Sequence, residues 1–309
     1  MKRIFIDGSA GTTGLRIYER LGSREDIELV TLPDDKRKDA NARKEALNSA
    51  DIAFLCLPDD AAREAVSMID NPDTVVIDTS TAHRTNPDWA YGFPELSDAF
   101  EEKIKNSKRI AVPGCHASGF IALVFPLIEA GILDKSTALT CFSVTGYSGG
   151  GKKMIAEYED LEPDMLLAAP RQYGLSQKHK HLPEMSAITG LANAPIFCPI
   201  VDDFYSGMQV TVPLFGSMVG GKTIDEIKEI YRQKYTGEIV RFSDCADENG
   251  FLSTLKLSET DGMEISVHGN DERILLVARY DNLGKGASGA AVECLNIVLG
   301  TDKKNNLEL

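Results

Sequence analysis

The chain has 309 residues, 43% hydrophobic and 26% charged, enough for about two domains with ample cores. Its formal net charge of −14 disfavours an extended nucleic-acid or anionic-membrane surface, although a local pocket of Lys or Arg can still hold an anionic substrate. Six cysteines (Cys56, Cys115, Cys141, Cys198, Cys245, Cys294) form no CxxC pair and read as reduced thiols of a cytoplasmic protein, with neither a disulfide framework nor a metal-ligand cluster.

The chain runs straight into a strand at residues 3–6, with no signal-peptide pattern before it. Further strands are predicted at 28–32, 52–56, 74–78 and 109–112, with helical spacing of apolar residues at 13–20 and 60–69. Strands joined by such crossovers predict a parallel, Rossmann-like sheet with helices on its faces. A helix is expected at 118–130; the apolar stretch 119–133 is broken by Pro126 and Glu129 and is too short to span a bilayer. Beyond it, β-rich runs at 138–147, 196–201, 208–213, 252–257, 264–268 and 273–280 surround a helix at 224–235. They predict a second, α+β domain with a mixed or antiparallel sheet. A last helix at 287–299 is read as returning to the first domain, and 301–309 as a fraying tail. The expected fold class is α/β, with domains at 1–114 and 115–284 and a returning segment at 285–309.

The first strand ends in Asp7-Gly8-Ser9-Ala10-Gly11-Thr12-Thr13-Gly14, a GxxGxxG variant of the dinucleotide fingerprint set between a strand and a helix. Glycines there permit a tight turn, backbone approach to a pyrophosphate and close helix packing. The bland alternative is a turn that merely saves space. After the second strand come Asp34-Asp35-Lys36-Arg37-Lys38. Lys36 and Arg37 can pair with the 2′-phosphate of NADP, aided by the hydroxyls of Ser9, Thr12 and Thr13, unless the loop is simply solvated.

Val112-Pro113-Gly114-Cys115-His116 places a thiol where a strand passes into a helix. Unpaired N–H groups and the positive end of the helix dipole there favour the thiolate, the nucleophilic form. A proton acceptor is offered by Gln177-Lys178-His179-Lys180-His181-Leu182-Pro183-Glu184. On an extended segment His179 and His181 point the same way and can face one cleft. His116 is expected to point away from the thiol, and His268 reads as structural. Thr79-Ser80-Thr81-Ala82-His83-Arg84 follows the fourth strand, where open α/β sheets place ligand loops, and Arg84 can clamp a phosphate or carboxylate. The glycine- and lysine-rich segment 147–153 is a second candidate for holding an anion.

Together these motifs closely resemble the N-acetyl-γ-glutamyl-phosphate reductase family, in its shorter type. The likeness runs nearly end to end, through Tyr91-Gly92-Phe93-Pro94-Glu95-Leu96, Pro113-Gly114-Cys115, His179-Lys180-His181-Leu182-Pro183-Glu184 and Asp281-Asn282-Leu283-Gly284-Lys285-Gly286-Ala287-Ser288-Gly289. The resemblance implies NADPH-dependent reduction of an acyl phosphate to a semialdehyde, within arginine biosynthesis. It implies Cys115 as nucleophile, His179 as acid–base and His181 against the nicotinamide. Gly8, Gly11, Gly14, Asn282, Lys285 and Gly286 are expected at the cofactor, and Ser80, Arg84, Arg171 and Glu184 at the substrate. Where the longer type of the family carries an Arg-Gly, this chain has Ser206-Gly207, so Arg171 is the candidate replacement for that arginine. A homo-oligomer is expected, with no nucleic-acid or membrane partner and no metal. The alternatives are an aspartate-semialdehyde dehydrogenase-like enzyme, a relative acting on a carrier-linked aminoadipyl phosphate, and a non-catalytic NADP sensor.

Overall fold

Strand β1 (Lys2–Asp7) carries Ile4, Phe5 and Ile6 into the interior, apolar on both faces as a covered parallel strand requires. A computed structural model describes all residues, 1–309, and divides them into two units. Met1–Gly114 with Ala287–Leu307 form one, and Cys115–Gly286 with Glu308–Leu309 the other.

In the first unit β1 is followed by α1 (Thr12–Leu21), β2 (Ile27–Val30), α2 (Ala40–Ser49), β3 (Ile52–Leu55), α3 (Asp59–Ser67), β4 (Val75–Asp78), β5 (Ala90–Tyr91), α4 (Asp98–Asn106) and β6 (Arg109–Ala111). The sheet order is β2-β1-β3-β4-β6-β5 and every pairing is parallel, as the crossovers predict. Successive residues of β1 supply opposite faces. Ile4 and Ile6 join Ile17 and Leu21 of α1, while Phe5 joins Ala46 and Leu47 of α2 and Ala62 and Ala65 of α3. The terminal helix (Gly289–Leu299) adds Ala290, Ala291, Val292, Cys294 and Leu295 to the first of these cores.

Two readings of this unit need correction. Helix α2 escaped prediction because its charged sequence has no apolar stripe; it is set instead by Asp39, whose carboxylate accepts the Ala42 N–H at 2.7 Å. The tail does not fray. Asn296 donates to the carbonyls of Lys303 and Asn305 at 3.0 and 2.8 Å, Asn306 donates to Arg20 O at 3.1 Å, and Leu307 packs on the core.

The second unit runs α5 (Cys115–Glu129), β7 (Thr140–Gly146), α6 (Gly151–Tyr158), β8 (Arg171–Gln172), α7 (Leu182–Thr189), β9 (Ile196–Asp202), β10 (Met208–Phe215), α8 (Ile224–Lys234), β11 (Val240–Phe242), β12 (Met263–Gly269) and β13 (Arg273–Tyr280). Its seven strands lie in the order β11-β12-β13-β10-β7-β9-β8. The β7–β9 and β11–β12 pairs are parallel and the rest antiparallel. The expected strand at 252–257 is instead a run of turns. Arg279, buried on β13, commits its guanidinium there: it donates to both Glu248 oxygens at 2.9 Å and to Ser253 O at 3.3 Å, and also pairs with Glu264 at 2.6 Å.

Helix α5 is apolar nearly all round, and its buried run from His116 to Val124 marks it as an interior helix. Pro126 lies inside it and has no N–H for the carbonyl of Ala122. The phenol of Tyr235 donates to that carbonyl at 2.7 Å, and Tyr231 of α8 donates to the next one, Leu123 O. Tyr235→Phe should therefore cost about 1–3 kcal/mol by stranding a buried acceptor. A urea titration should show a lower midpoint at unchanged m-value.

Candidate active site

Cys115 is the first residue of α5, three residues earlier than the helix start expected from the apolar pattern. Two groups pin this first turn. The hydroxyl of Tyr280, at the end of β13, donates to Cys115 O and accepts the Gly119 N–H at 3.0 Å. No side chain fits at Gly119, where a Cβ would stand 2.6 Å from Val210 and 2.7 Å from the Tyr280 hydroxyl. On the other side Gly286 lies against Cys115, its absent Cβ only 3.0 Å from Cys115 Cβ.

Two imidazoles stand beside the thiol and a third packs against them. The donor atoms of Cys115, His116 and His181 all lie within 4.8 Å of one another, a sulfur–nitrogen cluster that residues so far apart in the sequence do not announce. His116 therefore faces the thiol, contrary to expectation. Its Nδ1 shares a 2.6 Å hydrogen bond with Ser143 Oγ of β7 and its Nε2 another of 2.6 Å with Tyr173 OH. The His179 ring meets His181 at 4.8 Å and His116 at 5.6 Å between centroids, and Phe197 closes on both His116 and His179.

His179 and His181 are brought together by a turn and not by an extended strand. Leu182 N–H donates to His179 O at 3.0 Å, His181 adopts helical angles as the N-cap of α7, and its own N–H reaches His179 Nδ1 at 3.3 Å. Gln177 holds this loop from a left-handed conformation. Its amide donates to Phe197 O at 2.7 Å and accepts from Phe197 N at 2.9 Å, copying a strand pairing with a side chain. The sequence reading passed over Gln177, Tyr173 and Tyr280; each adjoins a motif but carries no spacing signal of its own.

Burial sets the protonation states. His116 is pushed down to about 3 by desolvation, with His179 and Lys180 adding to it. His179 falls to about 4 by burial and the Lys180 charge. Both are neutral at pH 7; the depression makes His179 a weaker base than a free imidazole and its charged form a stronger acid. Cys56, by contrast, is pushed up to about 12 by burial and is held as an inert thiol.

The glycine loop belongs to the first unit. Gly8 has φ +89°, and a Cβ there would stand 2.3 Å from Cys56 O; at Gly14 it would stand 2.4 Å from Gly8 O. These two glycines are required by the turn itself. Gly11 is not crowded in this way, with 3.4 Å to its nearest neighbour, and it N-caps α1 without a side chain. No acid occupies the first turn of α1. An N-terminus without side-chain cap or acid, flanked by Ser9, Thr12 and Thr13, fits a pyrophosphate. Lys36 and Arg37 are exposed, and Arg37 pairs with Asp34 at 2.7 Å.

Other expected site residues have structural partners. Ser80 donates to Asp78 at 2.7 Å and accepts Ala82 N–H at 3.1 Å. His83 shares a 2.6 Å bond with Asp78 and stacks on Trp89 at 4.0 Å. Arg84 donates to Val112 O and Thr79 O, each at 2.8 Å, bracing the strand end that leads to Cys115. Arg171 donates to the Tyr158 hydroxyl at 2.9 Å. Asn282 accepts Gly207 N–H and donates to Ser148 Oγ, both at 2.9 Å, while Asp281 accepts the N–H groups of Leu283 and Gly284. Lys285 is buried in the following π-turn, Gly284–Ser288, and Glu184 in the first turn of α7. His268 shares a 2.9 Å bond with Ser266.

The depressed imidazoles couple folding to pH. Between pH 6.5 and about 3 the unfolded chain carries a proton on His116 that the folded chain lacks. Stability should therefore fall as pH drops through that window, by up to about 1.4 kcal/mol per pH unit for one proton. Urea titrations across the window should show this slope reduced in His116→Gln relative to the parent protein.

Comparison with known proteins places this geometry. Residues 3–107 match the family model "Semialdehyde dehydrogenase, NAD binding domain", and residues 115–282 match "Semialdehyde dehydrogenase, dimerisation domain". The chain is 46% identical over 318 residues to N-acetyl-gamma-glutamyl-phosphate reductase 2 of Nostoc sp., covering 99% of both chains. It is 46% identical over 305 residues to N-acetyl-gamma-glutamyl-phosphate reductase of Sinorhizobium medicae, covering 96% of this chain and 98% of that one. Among solved structures, aspartate semialdehyde dehydrogenase II of Vibrio cholerae, complexed with ASA, shares the fold at TM-score 0.73 and 16% identity, over 97% of this chain and 98% of that chain. Aspartate semialdehyde dehydrogenase of Candida albicans, solved with NADP, does so at TM-score 0.68 and 16% identity, over 99% and 100%.

Proposed function

Since the chain belongs to the semialdehyde dehydrogenase family and, within it, to the N-acetyl-γ-glutamyl-phosphate reductases, we propose that Cys115 carries its reaction as an acylated thiol. The enzyme reduces N-acetyl-γ-glutamyl phosphate to N-acetylglutamate 5-semialdehyde and phosphate with NADP(H), a step of arginine biosynthesis. The observation that carries the catalytic assignment is the thiol at the start of α5, set beside His116 and His181 with His179 packed on both rings, and pinned by Tyr280 and Gly286.

His179, neutral at pH 7, takes the proton of Cys115. The thiolate adds to the γ-carbonyl, and N–H groups at the start of α5 meet the developing oxyanion. The carbon–oxygen bond to phosphate breaks, phosphate leaves with the electron pair, and Cys115 holds a thioester. NADPH, when bound, supplies the hydride that this thioester carbon accepts. His179 returns its proton to the resulting oxygen. Collapse of the thiohemiacetal then breaks the carbon–sulfur bond, releasing the semialdehyde and the thiol. His181 borders the nicotinamide in this reading.

Gly8, Ser9, Gly11, Thr12, Thr13 and Gly14 hold the pyrophosphate, with Lys36 and Arg37 available to a 2′-phosphate. Asn282, Lys285 and Gly286 shape the cofactor side of the thiol through the turn that Asp281 and Asn282 fasten. Arg171 and Glu184 are assigned to the substrate's polar groups. Arg84 acts through the carbonyl of Val112. The thiols, none of them paired, suit a reducing cytoplasm. No helix is long and apolar enough to cross a membrane.

Incubating the enzyme with acyl phosphate and no reductant should add the acyl mass to the tryptic peptide containing Cys115. Cys115→Ser should lose turnover by several orders of magnitude while still binding NADPH. A variant turning over near the parent rate would remove the covalent step. Phosphate-dependent NADP reduction should be faster with N-acetylglutamate semialdehyde than with aspartate semialdehyde.

The outer face of the second sheet supports a homo-oligomer. Phe142, Phe215 and Leu275 project from it, 44%, 61% and 42% exposed, on the side opposite to α5. Contiguous apolar exposure of this kind marks an interaction face. Sedimentation should report an oligomer for the parent and a smaller species for Phe142→Asp; a monomeric parent would remove this assignment.

A further inference from the structure

His116 has no task in the reaction above, yet it is buried beside the thiol with both ring nitrogens bonded. A histidine in that position is an odd choice for mere filling. An unbonded imidazole nitrogen there would be free to turn toward Cys115 or His179 and to compete for the proton they exchange. Ser143 and Tyr173 remove that freedom, each at 2.6 Å and from different strands of the sheet: Ser143 lies within β7, and Tyr173 just beyond β8, with its N–H on Pro199 O at 3.0 Å.

We propose that the Tyr173–His116–Ser143 chain is a positioning device for the nucleophile, holding the His116 ring in one orientation as a wall against which Cys115 and His179 are aligned. The proposal rests on Cys115 being the nucleophile. The contacts that make the wall are specific. His116 presents its ring to the edge of His179 at 88° and 5.6 Å, to His181 at 5.5 Å and to Phe197 at 5.2 Å, while its donor atom lies within 4.8 Å of the sulfur. Tyr173 touches His179 as well, at 6.0 Å between ring centroids, so one phenol spans the wall and the base. The groups facing this ring are Cys115 on its own helix, Ser143 from β7, Tyr173 after β8, His179, Lys180 and His181 before α7, and Phe197 from β9. Tyr280 closes the first turn of α5 from β13. A phenol and an alcohol, bonded to opposite nitrogens, can polarise the ring without charging it.

The test removes one end of the chain at a time. Tyr173→Phe and Ser143→Ala should each lower kcat about tenfold, the equivalent of one buried hydrogen bond, with the KM for NADPH unchanged. The double variant should lose little more than either single one, because both act through the same ring. Histidine ring-nitrogen NMR should show a neutral, hydrogen-bonded imidazole at His116 in the parent protein and a shifted resonance for the freed nitrogen in Tyr173→Phe. The rate of iodoacetamide alkylation at Cys115 should change in the same variants, and it requires no substrate. If the parent failed to turn over the acyl phosphate, the assigned reaction would fall while the alkylation and NMR results still judged the device. Kinetics within twofold of the parent for both variants, or a lowered kcat with an unchanged His116 spectrum, would overturn the proposal.

Discussion

The Tyr280 hydroxyl enters the first turn of α5, bonded at once to the carbonyl of Cys115 and to the N–H of Gly119. That contact is possible only because residue 119 has no side chain, and it fixes the backbone of Cys115 from the strand beneath it. Further along the same helix Tyr231 and Tyr235 fill the carbonyls around the proline. An apolar helix thus keeps few hydrogen-bonding defects, each one answered by a phenol from outside. A thiol carried on so constrained a turn has little room to wander, and positional precision of that kind is worth much of a catalytic barrier.

The same economy governs the imidazoles. Three histidines pack on one another, two of them beside the thiol, yet they differ in what holds them. His116 is bonded at both nitrogens by Ser143 and Tyr173, His181 is fixed by its place as the N-cap of α7, and His179 sits on a loop clasped by the Gln177 amide. Burial keeps His116 and His179 neutral at physiological pH. What sets His116 apart is that Ser143 and Tyr173 bond both of its ring nitrogens. Environment, not residue type, separates their roles.

Much of this was legible in the residues. The alternation of short apolar strands and amphipathic helices announced the parallel sheet, and the Pro-Gly-Cys turn and the paired histidines pointed to residues that the structure brings together. What stayed hidden has identifiable causes. Helix α2 has no apolar stripe and depends on the Asp39 cap. Residues 252–257 are apolar enough to read as a strand, but they form turns, with the Ser253 carbonyl accepting from the buried Arg279. His116 was expected to turn away from its neighbour's sulfur, since adjacent residues on a helix diverge; its ring is drawn back by partners on two strands that no local pattern could reveal. Ser80 and Arg84 lie in the loop after β4 and there also bond Asp78 and backbone carbonyls, partners that their spacing in the sequence does not reveal.

The terminal helix places Ala290, Ala291, Val292, Cys294 and Leu295 in the same core as Ile4, Ile6 and Ile17. During synthesis the ribosome delivers these residues last. The nucleotide-binding unit, although it is translated first, lacks part of its interior until the chain is nearly finished, whereas residues 115–286 form a single uninterrupted stretch. The usual vectorial order, in which the leading domain folds first, is thereby reversed. Nascent chains halted before residue 289 would carry an open apolar sheet face, the kind of surface that holdase chaperones cover.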